Sequence, residues 1–350
     1  SRAPSARSAT RWVEPFRALR EDLRTQDVEV VWTARVVVAP MMVLAAPVLF
    51  AMGLVGDVLR HRAPALAVAG AVVGFVLCFF YYPALADQLS PKGVFDTYRR
   101  DCAGEPLALL GVSSRSAAYY AGAQPETVSD PADAYRWLSA GGGQRCLAMK
   151  ADDLPKLNSL WREHATPRVN LPILDAGSSQ LLLASSSATP EATGANPLAA
   201  MVLDAPPHPH RKLDVNLDDQ LQILGLDVLD GSRHPVDAVR PGRAYHLVTY
   251  YRVLAHVPTE WQPFLHVDGH DRRHNGDHKI LGGKYPMSLW LPGDYLADDT
   301  ELTLEPNFTP GTYTLWFGLA VGDKCTDRLR VASGPNDGCN RVNGGGLRVE

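Results

Sequence analysis

Charge is missing altogether from two stretches of this sequence. Residues 36–56 (VVVAPMMVLAAPVLFAMGLVG) and 63–86 (APALAVAGAVVGFVLCFFYYPALA) contain no Asp, Glu, Lys or Arg. Without a polar face they are excluded as ordinary surface helices. Their length and close succession also exclude a cleaved signal peptide. Each stretch reaches the roughly 20 residues needed to cross a hydrocarbon core of about 30 Å. The expectation is therefore a pair of transmembrane helices within residues 31–88. Pro40 and Pro47 fall where a membrane helix tolerates a kink, and Tyr81 and Tyr82 suit the headgroup layer.

Other absences narrow the function. The net charge of −4 has no large excess of either sign, which argues against a general nucleic-acid binder. Only five cysteines occur, and none are in the Cys-x-x-Cys spacing of a zinc site. Cys78 falls in the second apolar stretch. Cys102 with Cys146 and Cys325 with Cys339 form local pairs, the pattern of two disulfides in an oxidising compartment. There is no Gly-x-Ser-x-Gly nucleophile elbow. Gly141-Gly142-Gly143 lies between a helical pattern and a strand, the reverse of the order a nucleotide loop requires.

What remains has a readable organisation. Residues 1–30 mix Arg with Glu and Asp, and Trp12, Phe16, Leu19 and Leu23 recur at helical spacing. The segment reads as an interfacial amphipathic helix or a disordered tail. The chain starts at Ser1 and not at Met, so it is expected to be a fragment or a processed chain. Arg60, His61 and Arg62 between the apolar stretches suit a cytoplasmic loop, leaving the following domains outside. Lys92, Arg99 and Arg100 follow closely, where they could meet a lipid phosphate or ordinary headgroups.

Residues 89–187 alternate short apolar runs with helical patterns, such as Leu107–Val112, then Ser113–Ala121, then Cys146–Met149. Asp130-Pro131 has the chemistry of a helix start, with an N-cap followed by Pro at the first helical position. The alternation predicts a small α/β layer. Residues 188–212, rich in Ser, Ala, Pro and His, read as a linker. Residues 213–350 turn to strand patterns. In 312–320, Tyr313, Leu315, Phe317 and Leu319 alternate with Thr312, Thr314, Trp316 and Gly318. This half predicts a β-sandwich, jelly-roll-like in topology.

Two clusters in that half carry candidate chemistry. Between 266 and 278, His266, His270, His274 and His278 recur every fourth residue, offering nitrogen ligands to zinc. Asp268, Asp271, Asn275 and Asp277 offer oxygen ligands to calcium. The competing reading is a polar loop capping its own backbone. Trp290, Asp294 and Tyr295 combine aromatic faces with a carboxylate, the composition of a sugar site, against core packing for the tryptophan.

Several runs resemble a known family. Phe95-Asp96-Thr97-Tyr98-Arg99-Arg100, Gly104-Glu105-Pro106-Leu107 and Ala118-Tyr119-Tyr120-Ala121-Gly122 are similar to the segment after the last membrane helix of bacterial polytopic glycosyltransferases. These are the GT-C enzymes akin to aminoarabinose transferases and protein O-mannosyltransferases. Arg145-Cys146-Leu147-Ala148, Lys150-Ala151-Asp152-Asp153-Leu154 and Leu171-Pro172-Ile173-Leu174-Asp175 resemble the same region. The resemblance implies the C-terminal part of an enzyme using a polyprenyl-phosphate-linked sugar, with domains on the periplasmic side of a bacterial inner membrane. Its partners would be membrane lipid or lipid-linked sugar and a glycan or protein acceptor. The family carries its catalytic acids in an early outer loop with no counterpart here, so no catalytic residue is carried over. The other reading open at this point is a membrane-tethered, non-catalytic module that binds carbohydrate or protein.

Overall fold

Residues 68–82, 91–122, 124–178 and 180–350 are described by a computed structural model of the protein. They fall into two units, 1–93 with 177–180 and 94–176 with 181–350. In the first unit, residues 68–82 are helical and include a π-helical turn at Leu77–Tyr81.

This corrects the membrane expectation. The stretch 36–56 and the amphipathic segment 1–30 lie outside the described residues. Among the described residues no helix is long and apolar enough to cross a membrane. Of the two charge-free stretches only residues 68–82 are described, and the two transmembrane helices are not supported among the described residues.

The α/β part begins with α1 (Lys92–Asp101), which belongs to the second unit from Val94 on, followed by β1 (Leu107–Leu110), α2 (Ser114–Ala121), β2 (Glu126–Val128) and α3 (Pro131–Ser139). It continues with β3 (Cys146–Lys150), α4 (Leu154–His164), β4 (Ile173–Asp175) and β5 (Leu181–Ser185). The sheet order is β2-β1-β3-β5-β4. β1 pairs in parallel with β2 and β3, while β5 pairs antiparallel with β3 and β4. All four residues of β1 are buried, as expected of a strand covered on both faces. α3 starts where its sequence dictates: the Asp130 carboxylate accepts from Ala132 N at 2.8 Å and Asp133 N at 2.9 Å, with Pro131 behind it. The Cys102–Cys146 disulfide ties the chain just after α1 to the first residue of β3.

Residues 188–212 depart from the linker expectation. They form α5 (Pro190–Gly194), β6 (Val202–Leu203) and the start of β7 (Arg211–Leu217). Ala192, Leu198 and Val202 are buried, so the segment is fixed by its own small apolar residues.

The sandwich comprises β7, β8 (Leu221–Leu229), β9 (Ala238–Val239), β10 (Tyr245–Val253), β11 (Gln262–Gly269), β12 (Arg272–Asn275), β13 (Tyr295–Leu302), β14 (Gly311–Ala320), β15 (Val331–Ser333) and β16 (Val342–Val349). One sheet has the order β15-β7-β8-β10-β13-β6 and the other β12-β11-β14-β16-β9. β7, β8, β10 and β13 pair antiparallel side by side, but β9, β11 and β12, which intervene in the chain, belong to the other sheet. From β8 to β16 the chain therefore passes repeatedly between the two sheets, the interleaving expected of a jelly-roll-like sandwich. Leu265, Val267, Leu315 and Phe317 from one sheet meet Ile223 and Leu247 from the other in a single core. Leu147, Met149, Leu157 and Ile173 of the α/β part belong to that same core, so the two parts share one interior.

Candidate functional site

Trp290, Asp294 and Tyr295 prove to be structural. Trp290 is 2% exposed and donates its indole N–H to the Tyr285 carbonyl at 3.1 Å. Asp294 is fully buried and faces Arg162 of α4, itself 2% exposed. Arg162 donates to Asp294 Oδ1 from Nε at 3.3 Å and Nη2 at 3.2 Å. It also reaches Asp204 at 2.7 Å, Asn170 at 3.2 Å and the Leu203 carbonyl at 3.2 Å. Arg168 adds a 3.6 Å ion pair to Asp294 and donates to the Pro292 carbonyl at 2.7 Å. Tyr295 is partly buried and opens β13, in register with Arg252 and Leu203. This constellation rivets the α/β part to the sandwich and leaves no ring face and carboxylate together for a sugar.

The His/Asp-rich stretch is a β-hairpin. His270 (φ 50) and Asp271 (φ 55) form its two-residue turn, with the positive φ angles that tight hairpins require. Strand geometry then sends alternate side chains to opposite faces and disperses the expected ligands. Asp268 accepts from Arg273 at 2.7 and 2.8 Å and from Arg341 at 3.2 Å. His270 packs on Tyr313, with ring centroids 5.0 Å apart. His274 faces Glu305 at 3.1 Å, and His278 faces Asp298 at 2.9 Å. Asp277 accepts from Leu265 N at 3.3 Å. Among the described residues no group of three or more His, Cys, Asp or Glu could hold a metal. The calcium or zinc reading is corrected accordingly.

Lys92 opens α1, and Arg99 and Arg100 are exposed near its end. Arg99 pairs with Asp96, and Arg100 with Asp101 at 2.8 and 2.9 Å, so both guanidiniums are engaged on their own helix. Both expected disulfides, Cys102–Cys146 and Cys325–Cys339, are formed.

The arrangement with the most binding chemistry lies elsewhere, on the outer face of the β12-β11-β14-β16 sheet. β-pairing places Asn275, His266, Trp316 and Asn343 directly opposite one another on four successive strands. Asn275 is exposed, and the other three are partly buried. Arg341 stacks on one face of the indole, its guanidinium carbon 4.9 Å from the ring centroid, and is anchored to Asp337 at 2.6 Å. Beside this row, Phe264 lies under Arg328 at 5.1 Å. The missing side chain of Gly318 makes room for it, since a Cβ there would meet Phe264 at 2.8 Å. His266 Nδ1 is buried without a hydrogen-bond partner among the described residues. Burial, then the charges of Arg273 and Arg341, hold this imidazole below its ordinary range and favour the neutral ring.

Sequence reasoning named His266 and Asn275 for a metal and passed over Trp316 and Asn343. The available signal was a tryptophan on the polar side of the 312–320 alternation. These features define a class: a disulfide-bonded α/β layer fused to a β-sandwich that carries an amide–imidazole–indole–amide row. The chain matches no family model, and no curated protein is significantly similar to it.

Proposed function

We propose that the sandwich binds carbohydrate on the outer face of its five-stranded sheet. The observation that carries this reading is the in-register row Asn275–His266–Trp316–Asn343. An indole face matches the C–H face of a sugar ring, and amide and imidazole groups exchange hydrogen bonds with its hydroxyls. His266, partly buried and with its pKa held below the ordinary range first by burial, adds a ring that favours the uncharged form beside the indole.

The family resemblance, over roughly residues 30–185, gives this binding a context. On that reading the chain is the periplasmic accessory part of a bacterial glycosyltransferase using a polyprenyl-phosphate-linked sugar, and it guides a glycan acceptor or product. The two disulfides favour an oxidising, extracytoplasmic compartment. The test is calorimetric titration and a glycan array with the wild-type chain and Trp316→Ala, each checked for fold by circular dichroism. Binding that weakens at least about tenfold in Trp316→Ala is expected. Absence of binding to any glycan, or equal binding by the variant, would refute the proposal.

A further inference from the structure

The charged groups around the row are matched against one another. Asp268 takes two hydrogen bonds from Arg273 and one from Arg341. Arg341 gives its Nε to Asp337 at 2.6 Å. Two guanidiniums therefore face two carboxylates. The next cation, Arg328, is turned into the Cys325–Cys339 loop, where its Nη1 donates to the Cys339 carbonyl at 3.0 Å. The row's own side chains are two amides, an indole and an imidazole that favours its neutral form, with the paired guanidinium of Arg341 stacked on one face of the indole. An acidic ligand would have to compete with Asp268 for Arg273 and Arg341, whereas a neutral polyhydroxyl ligand would not.

The row also has a direction. It crosses four strands, and three inter-strand steps of about 4.8 Å give roughly 14 Å. We infer that the carbohydrate bound here is a neutral oligosaccharide lying across the strands, touching Asn275, His266, Trp316 and Asn343 in turn. This rests on the carbohydrate reading above and narrows it. Both ends of the row then contribute, and neither charge nor salt governs affinity.

The test is titration of the full chain with neutral gluco-, manno- and arabino-oligosaccharides of one to six residues, and with oligouronides of matched length, in low and high sodium chloride. Neutral oligosaccharides should bind, with affinity rising until the ligand spans the row and then levelling. Their Kd should change less than about twofold with salt, since screening acts only on charge. Asn275→Ala and Asn343→Ala, at opposite ends, should each weaken the longer ligands and leave the monosaccharide unchanged. Asp268→Asn leaves Arg273 without its carboxylate and Arg341 with Asp337 alone, and should create salt-sensitive binding of oligouronides that the wild type lacks. Tight, salt-sensitive oligouronide binding by the wild type would overturn the neutral assignment while leaving carbohydrate binding intact. Length-independent affinity would overturn the crosswise placement. Failure of every saccharide to bind would remove both readings.

Discussion

Replacing Arg162 by Met should be among the most damaging single changes available to this fold. The aliphatic stem would still fill most of the space, so the loss is chiefly electrostatic. Arg162 and Asp294 are 2% and 0% exposed, and the guanidinium also holds Asp204, Asn170 and the Leu203 carbonyl. Without it, Asp294 keeps the Leu291 N–H at 3.1 Å and the longer contact to Arg168 at 3.6 Å, too little for a carboxylate shut away from water. Removing one partner of a buried ion pair costs about 3–5 kcal/mol. Arg168 remains nearby, so the lower end, about 3 kcal/mol, is expected. At roughly 2–4 °C per kcal/mol for a unit of this size, the melting midpoint should fall by about 6–12 °C. Urea unfolding followed by far-ultraviolet circular dichroism and by tryptophan fluorescence measures the change. The two probes should move together, because the α/β part and the sandwich share a core. Arg162→Met combined with Asp294→Leu should recover part of the loss, since no charge is then left buried. A loss below about 1 kcal/mol in the single variant, or no recovery in the double, would show that this network does not join the two parts as argued.

Three further outcomes follow from the same structure. His278 faces acceptors on both sides, the Gly276 carbonyl from Nδ1 at 2.9 Å and Asp298 from Nε2 at 2.9 Å, so only the imidazolium satisfies both. Burial lowers its affinity for the proton, but the hydrogen bond and charge of Asp298 more than offset this and hold the group above 6.5. Its contribution to stability is therefore full below about pH 6.5 and lost as pH rises through the folded value, and Asp298→Asn should abolish that slope in urea titrations between pH 5.5 and 8.5. Reducing Cys102–Cys146, which closes a 44-residue separation, should cost about 4 kcal/mol by loop entropy, against about 3 kcal/mol for the 14-residue Cys325–Cys339 loop; Cys-to-Ala pairs in denaturant test the order. Asp130→Ala should cost about 1 kcal/mol through loss of the α3 cap, and Asp130→Asn much less, again by denaturant midpoint.

Local rules were legible where local chemistry decides. Asp130-Pro131 marks a helix start that needs no tertiary partner. The alternation in 312–320 gives the two faces of β14, with Tyr313, Leu315, Phe317 and Leu319 all buried. Both cysteine pairs were readable from proximity in sequence. Sites that depend on register were not. The four-residue spacing of the histidines hides a two-residue turn at His270-Asp271, which converts a possible cluster into a hairpin whose side chains diverge. Trp290 and Trp316 look equivalent as letters, yet one is sealed in the core and the other lies on the outer face of β14. Only strand pairing brings Asn275 and Asn343, 68 positions apart, into one row. The charge-free stretches are described only at residues 68–82, and among the described residues no helix is long and apolar enough to cross a membrane.

The common interior of the α/β layer and the sandwich also decides how this protein can be cut. Severing the chain between α5 and β7 would not release two self-sufficient pieces. It would uncover the facing surfaces around Leu157, Ile173, Val202 and Met287 on both fragments at once. Each fragment would present a raw, adhesive flank to solvent and aggregate unless its other half were supplied. Mixing the two fragments should restore solubility by reassembly, as in a split reporter. The surviving boundary for dissection, grafting or display is therefore the outside of the joined body and not the seam within it.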